Sequence, residues 1–268
     1  MSTLKISPGL KIHYIEANPA GAPAVVLLHG LGATVESWQL QIPALTGAGY
    51  RVVALDQRGF GQSTYPGGGM TIADMAGDVA ALLRHLNIPA ADMVGISMGG
   101  TVAQQFALDY PQMTAKLVLV NTFAKMRAEG IGQFFYFLLR MILVHTVGVE
   151  RQAEVVSERL FPEPGQSELR QHLRTQIAQA DPKGYRAALR ALARFDVEDR
   201  LGNIQSPTLI VTGEADSTVS PRYQRVLAER IPNARQVVIP GAGHPLIVTH
   251  PQAFNEILLE FLGTEPQQ

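Results

Sequence analysis

One serine stands at a junction that leaves the chain few options. The apolar run Ala91-Asp92-Met93-Val94-Gly95-Ile96 leads into Ser97, and the helix-forming stretch Thr101-Val102-Ala103-Gln104-Gln105-Phe106-Ala107-Leu108 leads out of it. Gly95-Ile96-Ser97-Met98-Gly99 therefore reads as a strand, a sharp turn and the start of a helix. A serine at such an apex is held in a strained backbone conformation with its Oγ exposed, and the flanking glycines remove side chains that would collide across the turn. The helix behind it directs its N-terminal amides at the same spot. Glycine-rich turns before helices also cradle phosphates, but this spacing departs from G-x-G-x-x-G and no G-K-[ST] is present.

Two downstream residues stand in equivalent places. Gln205-Ser206-Pro207-Thr208-Leu209-Ile210-Val211-Thr212-Gly213 reads as a buried strand, and Glu214-Ala215-Asp216 follows it directly. Gln236-Val237-Val238-Ile239-Pro240 reads as another, followed by Gly241-Ala242-Gly243-His244-Pro245. Each polar residue sits just past the C-terminal end of a strand, where open α/β sheets place their sites. The order Ser, Asp, His is the one expected when such a turn carries a hydrolytic triad. Serine is a poor nucleophile at neutral pH; an imidazole must take its proton, and a carboxylate must fix the tautomer of that imidazole.

With these residues the chain resembles the α/β-hydrolase superfamily over nearly its whole length. Val26-Leu27-Leu28-His29-Gly30-Leu31-Gly32 is similar to the oxyanion segment after the family's third strand, and Asp56-Gln57-Arg58-Gly59-Phe60-Gly61-Gln62-Ser63 to the D-x-R-G-x-G-x-S turn after its fourth. Within the superfamily the chain looks most like small bacterial carboxylesterases and 3-oxoadipate enol-lactonases. The resemblance implies that Ser97 is the nucleophile, Asp216 the orienting acid and His244 the base, with the amides of Leu31 and Met98 as the oxyanion hole. It implies no cofactor.

The composition is compatible with that class. Of 268 residues 46% are hydrophobic, enough for a sizeable core, and 22 Lys and Arg nearly cancel 23 Asp and Glu. That balance, without a basic stripe, argues against nucleic acid and anionic membranes as partners, leaving a small-molecule ester or lactone; homo-oligomerisation stays open. There is no cysteine, which excludes disulfides and thiolate chemistry, and no H-E-x-x-H or other metal-ligand spacing occurs. Met1 to Gly9 lacks the apolar core of a signal peptide, so cytoplasmic residence is expected. The apolar segment from Ile131 to Val149 is interrupted by Gln133, Arg140 and His145, which suits a buried amphipathic helix better than a membrane span.

Along the chain, strands at Leu10–Glu16, Ala24–Leu28, Arg51–Leu55, Ala91–Ile96 and Ala115–Val120 alternate with helices expected near Ser37–Ala48, Thr71–Leu86 and after Ser97. This predicts an α/β fold, a mostly parallel twisted sheet with helices on both faces. The alternation stops near Phe123 and resumes near Pro207. Residues 1–123 and 207–268 are then the core, and 124–206 an inserted helical cap over Ser97, with segments at Gly132–Ile142, Ser167–Gln179 and Tyr185–Phe195. Trp38, Phe134, Phe135, Phe137, Leu138, Met141 and Leu246 are the candidate substrate-contacting residues, although packing explains Trp38 equally well.

Other polar residues receive structural readings. His29 is expected to hold a backbone carbonyl, Asp56 to end a strand and Arg58 to brace a glycine-rich turn. Glu214 is the reserve acid, and Ser217, Ser220 or Pro221 can cap the following helix in place of Asp216. Ester hydrolysis is the leading expectation. Lactone cleavage would call for a cation such as Arg127 or Arg140 near the pocket. Carbon–carbon bond hydrolysis and a non-catalytic ligand receptor on the same fold are the remaining alternatives.

Overall fold

A computed structural model of the chain describes residues 2–126, 142, 144, 146 and 148–263. Eight strands form one sheet: β1 (Ser2–Ser7), β2 (Leu10–Ala17), β3 (Ala24–Leu28), β4 (Arg51–Leu55), β5 (Ala91–Ile96), β6 (Thr114–Val120), β7 (Thr208–Gly213) and β8 (Ala234–Ile239). Their spatial order is β1-β2-β4-β3-β5-β6-β7-β8. Only the β1–β2 and β2–β4 pairings are antiparallel; the remainder are parallel. The chain goes from β3 to one side for β4 and returns to the other side for β5. The C-terminal ends of β3 and β5 therefore flank the point where strand order reverses, the place where a crevice opens in sheets of this kind.

The strands at the centre are continuous apolar runs because both faces are covered. Val26, Leu28, Val53, Leu55, Met93, Leu117, Leu119 and Ile210 face one core, which they share with α2 (Ile72–His85) and α3 (Met98–Asp109). The alternate residues, among them Val25, Leu27, Val52, Ala54, Val94, Val118, Val120, Leu209 and Val211, face the other, with Leu45 of α1 (Ile42–Gly47) and Phe254, Leu258 and Phe261 of a C-terminal helix. A fully buried side chain of this size contributes about 1.5–3 kcal/mol, so the two-residue period of the strands builds two cores from one sequence.

Between β6 and β7 the chain forms α4 (Val149–Leu160), α5 (Ser167–Gln179) and α6 (Pro182–Arg194). After β7 come α7 (Pro221–Arg230), α8 (Leu246–Thr249) and α9 (Pro251–Gly263). No helix among the described residues is long and apolar enough to cross a membrane.

Several boundaries differ from expectation. The helix expected over Ser37–Ala48 is divided into a 3-10 turn at Val35–Trp38 and α1, and Pro43 falls in the first turn of α1, where a missing N–H costs nothing. Gln41, between the two, sends its side-chain amide to the Ile247 carbonyl (2.9 Å). The helix expected from Tyr185 starts earlier, because Asp181 caps the amides of Lys183 and Gly184. β1 had no counterpart in the sequence reading. Its only apolar residues, Leu4 and Ile6, are too few to show a period, and at the sheet edge it pairs with β2 alone.

Candidate active site

Ser97 directly follows β5 with φ 54° and ψ −117°, a region that non-glycine residues enter only under constraint. Its N–H donates to the Val120 carbonyl (2.9 Å), and its own carbonyl accepts from the Thr122 hydroxyl (2.7 Å). The neighbouring glycines are sterically required. A Cβ on Gly99 would run into the Leu28 carbonyl, and one on Gly95 into the Gly99 backbone. Ile96 and Met98 are buried while Ser97 is partly exposed, so the turn presents the serine alone. Met98 opens α3, so its N–H has no acceptor within the helix.

The loop after β3 is fixed from behind. His29 is fully buried: the Gln57 N–H donates to its Nε2 (2.9 Å), which makes Nδ1 the protonated nitrogen, 2.8 Å from the Gly30 carbonyl. Burial pushes the His29 pKa down, outweighing the nearby Asp56 charge, and keeps the ring in this neutral tautomer. A trans peptide points its C=O and N–H in opposite directions. With the Gly30 carbonyl turned toward His29, the Leu31 N–H is turned away from it. His29 therefore has the carbonyl-holding role expected of it.

Asp216 and His244 meet as a pair. His244 Nδ1 lies 2.8 Å from Asp216 Oδ2, and both residues are buried. The other carboxylate oxygen, Oδ1, accepts from the amides of Thr218 (2.8 Å) and Val219 (2.9 Å). Asp216 is thus both a turn former and the partner of the imidazole, and Ser220 takes over the capping of α7 by accepting from the Arg222 N–H. Glu214 is exposed, and its carboxylate accepts from the Gly241 N–H (3.0 Å), away from the ring.

Asp56 is buried with His13 (2.8 Å) and accepts from the Val35 and Gln62 amides, while Arg58 forms a two-point pair with Asp78 (2.6 and 2.7 Å). Both fasten the turn after β4, as the structural reading expected.

Ser97 and His244 line one cavity with Gly30, Leu31, Ala33, Glu36 and Ser37 from the β3 side and Val156, Leu160, Phe161, Leu169 and Leu173 from the insertion. Two candidate contacts are corrected. Trp38 is fully buried in the second core and does not line the cavity. Leu246 is also fully buried there; successive side chains of the α8 turn fan around its axis, and it is Ile247 and Val248 that line the cavity. Phe134, Phe135, Phe137, Leu138, Met141, Arg127 and Arg140 lie outside the described residues.

Sequence reasoning missed a polar cluster on the cavity wall. Gln176 of α5 donates its amide to the Glu36 carboxylate (3.0 Å) and lies 2.8 Å from His172, tying the insertion to the 3-10 turn after β3. Its three residues come from segments whose sequence carries no shared motif. Among the described lining residues there is no Lys or Arg, and Glu36 is the one carboxylate.

The family model for the alpha/beta hydrolase fold matches residues 23–251. The chain is 36% identical over 260 residues to the putative carbamate hydrolase RutD of Variovorax paradoxus (strain S110), with 95% of this chain and 97% of that protein covered. To 3-oxoadipate enol-lactonase 2 of Acinetobacter baylyi it is 34% identical over 248 residues, covering 91% and 90%. The crystal structure of the enol-lactonase from Burkholderia xenovorans LB400 superposes with a TM-score of 0.88 at 28% identity, covering 96% of this chain and 98% of that one.

Proposed function

This chain belongs to the α/β-hydrolase family, and we propose that it is a serine hydrolase cleaving carboxylic esters of small, mainly apolar substrates through an acyl-enzyme on Ser97. The observation that carries this reading is the convergence of an elbow serine and a carboxylate-paired histidine on one largely apolar cavity. Ser97 attacks the ester carbonyl as His244 takes its proton, and Asp216 holds the ring in the tautomer that leaves Nε2 free to accept. The Leu31 and Met98 amides receive the developing oxyanion, where preorganised donors contribute most. His244 then protonates the leaving alcohol, and water repeats the sequence on the acyl-enzyme. Residues 124–206 act as a cap whose α4 and α5 close the apolar end of the cavity.

Charge in the lining bears on the substrate. A largely apolar wall carrying Glu36, with His172 3.4 Å from its carboxylate and no described Lys or Arg, suits neutral acyl groups better than carboxylate-bearing lactones. The enol-lactonase relative supplies the second reading, lactone cleavage, and the first-named relative brings carbamates into the same test.

Kinetics on aryl esters from acetyl to dodecanoyl, beside an aryl ester ending in a carboxylate, 3-oxoadipate enol-lactone and an aryl carbamate, decide among them. Each buried methylene contributes about 0.8 kcal/mol, so kcat/KM is expected to rise a few-fold per carbon until the cavity is filled and then drop. Glu36→Gln is expected to narrow the gap between the neutral ester and its carboxylate-bearing counterpart several-fold, because a like charge is removed. A lactone or carbamate rate orders of magnitude above the best ester would replace the ester reading.

A further inference from the structure

The C-terminal end of β6 touches all three segments of the proposed triad. β6 lies between β5, which leads into Ser97, and β7, which leads to Asp216. The residue after it, Asn121, is fully buried with φ 43°. Its Nδ2 donates to the carbonyls of Gly243 (3.1 Å) and His244 (2.8 Å). Its Oδ1 accepts from the N–H of Gly213 (2.8 Å), the last residue of β7, and its own N–H donates to the Val211 carbonyl (3.1 Å). The next residue, Thr122, holds the Ser97 carbonyl.

One planar amide thus joins the strand end that leads to Asp216 with the loop that carries His244. An amide brings two donor protons and an acceptor on one rigid group, which a carboxylate or a hydroxyl of this length does not. Asparagine also tolerates the left-handed backbone better than most residues, so conformation and hydrogen bonding select the same side chain.

We propose that Asn121 is a positioning residue for the His244–Asp216 pair. It sets the loop carrying the base against the strand carrying the acid, and so fixes where the imidazole stands relative to Ser97. The inference rests on the triad reading above. Asn121 acts through backbone groups and does not meet substrate, so its loss is a loss of transition-state geometry and leaves ground-state binding in place.

The test uses the whole chain and a neutral aryl ester. Asn121→Asp keeps the shape and an acceptor for Gly213 but sets a carboxylate against two carbonyls. It is expected to lower kcat about 100-fold with KM within roughly threefold of wild type, the size expected of a misplaced catalytic group. Asn121→Ala is expected to act in the same direction. The downfield proton resonance of the His244–Asp216 hydrogen bond is expected in the wild type and broadened or displaced in both variants, a change that mere loosening elsewhere would not produce. A kcat within threefold of wild type in either folded variant, or a loss carried by KM alone, overturns the proposal. Failure of both variants to fold also overturns it, since Asn121 would then be holding the fold and not the pair. Ser97→Ala separates the two layers. If that variant stays active the triad reading falls; if it is inactive while the Asn121 variants turn over normally, only the positioning role falls.

Discussion

Asp216 divides its carboxylate between two tasks, and the division makes a sharp prediction. Oδ1 is consumed by the Thr218 and Val219 amides, which leaves Oδ2 aimed at His244. Asp216→Asn retains an oxygen for those amides but presents an NH2 to the imidazole, which then holds the wrong tautomer. A loss of about 10³–10⁴-fold in kcat is expected, as for acids in such triads. Glu214→Gln still accepts from Gly241 and is expected to stay within about threefold of wild type, since an exposed hydrogen bond contributes about 1 kcal/mol or less. Parallel steady-state kinetics on the two variants check this; a more damaging Glu214→Gln would mean that the acid had been misassigned. The sequence pointed to Asp216 through its place after a strand. It held no sign of how one carboxylate serves both the turn and the ring, because the two amides belong to residues with no motif of their own.

At the scale of elements, continuous apolar runs gave away the central strands, since a strand covered on both faces has no polar side to obscure it. Edge strands were harder. β1, with two apolar residues, has no expected counterpart, whereas β8, with a mixed burial pattern along Ala234–Ile239, is read only from Gln236 onward. Helix ends depended on capping. Thr71 and Asp74 form a reciprocal cap that starts α2 one residue inside the expected range, whereas the break before α1 reflects Gln41 reaching the distant Ile247 carbonyl. That contact spans 206 residues of sequence and leaves no local trace. The same holds for the lining of the cavity. Leu246 and Ile247 are adjacent and both apolar, and only the phase of a short helical turn decides which one lines the cavity. Asn121 was invisible for the same reason: its three side-chain partners belong to β7 and to the loop after β8.

For the molecule as a whole, one buried charge sets a pH dependence of stability. Asp92 stands near the start of β5, at the far end of the strand from Ser97, and is buried beside Lys116 with Oδ2 unpaired. Burial pushes its pKa up to about 6 from an ordinary 3.8, more than Lys116 pulls it down. A carboxyl raised on folding contributes stability that is fully present below its unfolded value and is lost as pH rises through the folded one. Relative to Asp92→Asn, which does not titrate, the wild type is expected to lose about 2 kcal/mol between pH 4 and 8, roughly a 5 °C shift in Tm. Thermal denaturation of the two proteins across that range checks the sign, and a wild type that gains stability relative to Asp92→Asn as pH rises would contradict it. Activity at neutral pH is expected to be unchanged in the variant, because the site lies at the other end of the sheet. The central claim concerns that site, and intact-mass measurement after treatment with an aryl phosphonate tests it most directly. One adduct per chain, mapped to the peptide bearing Ser97, lost in Ser97→Ala and formed in step with loss of esterase activity, is the expected result. An adduct on another residue, with activity surviving in Ser97→Ala, would contradict it.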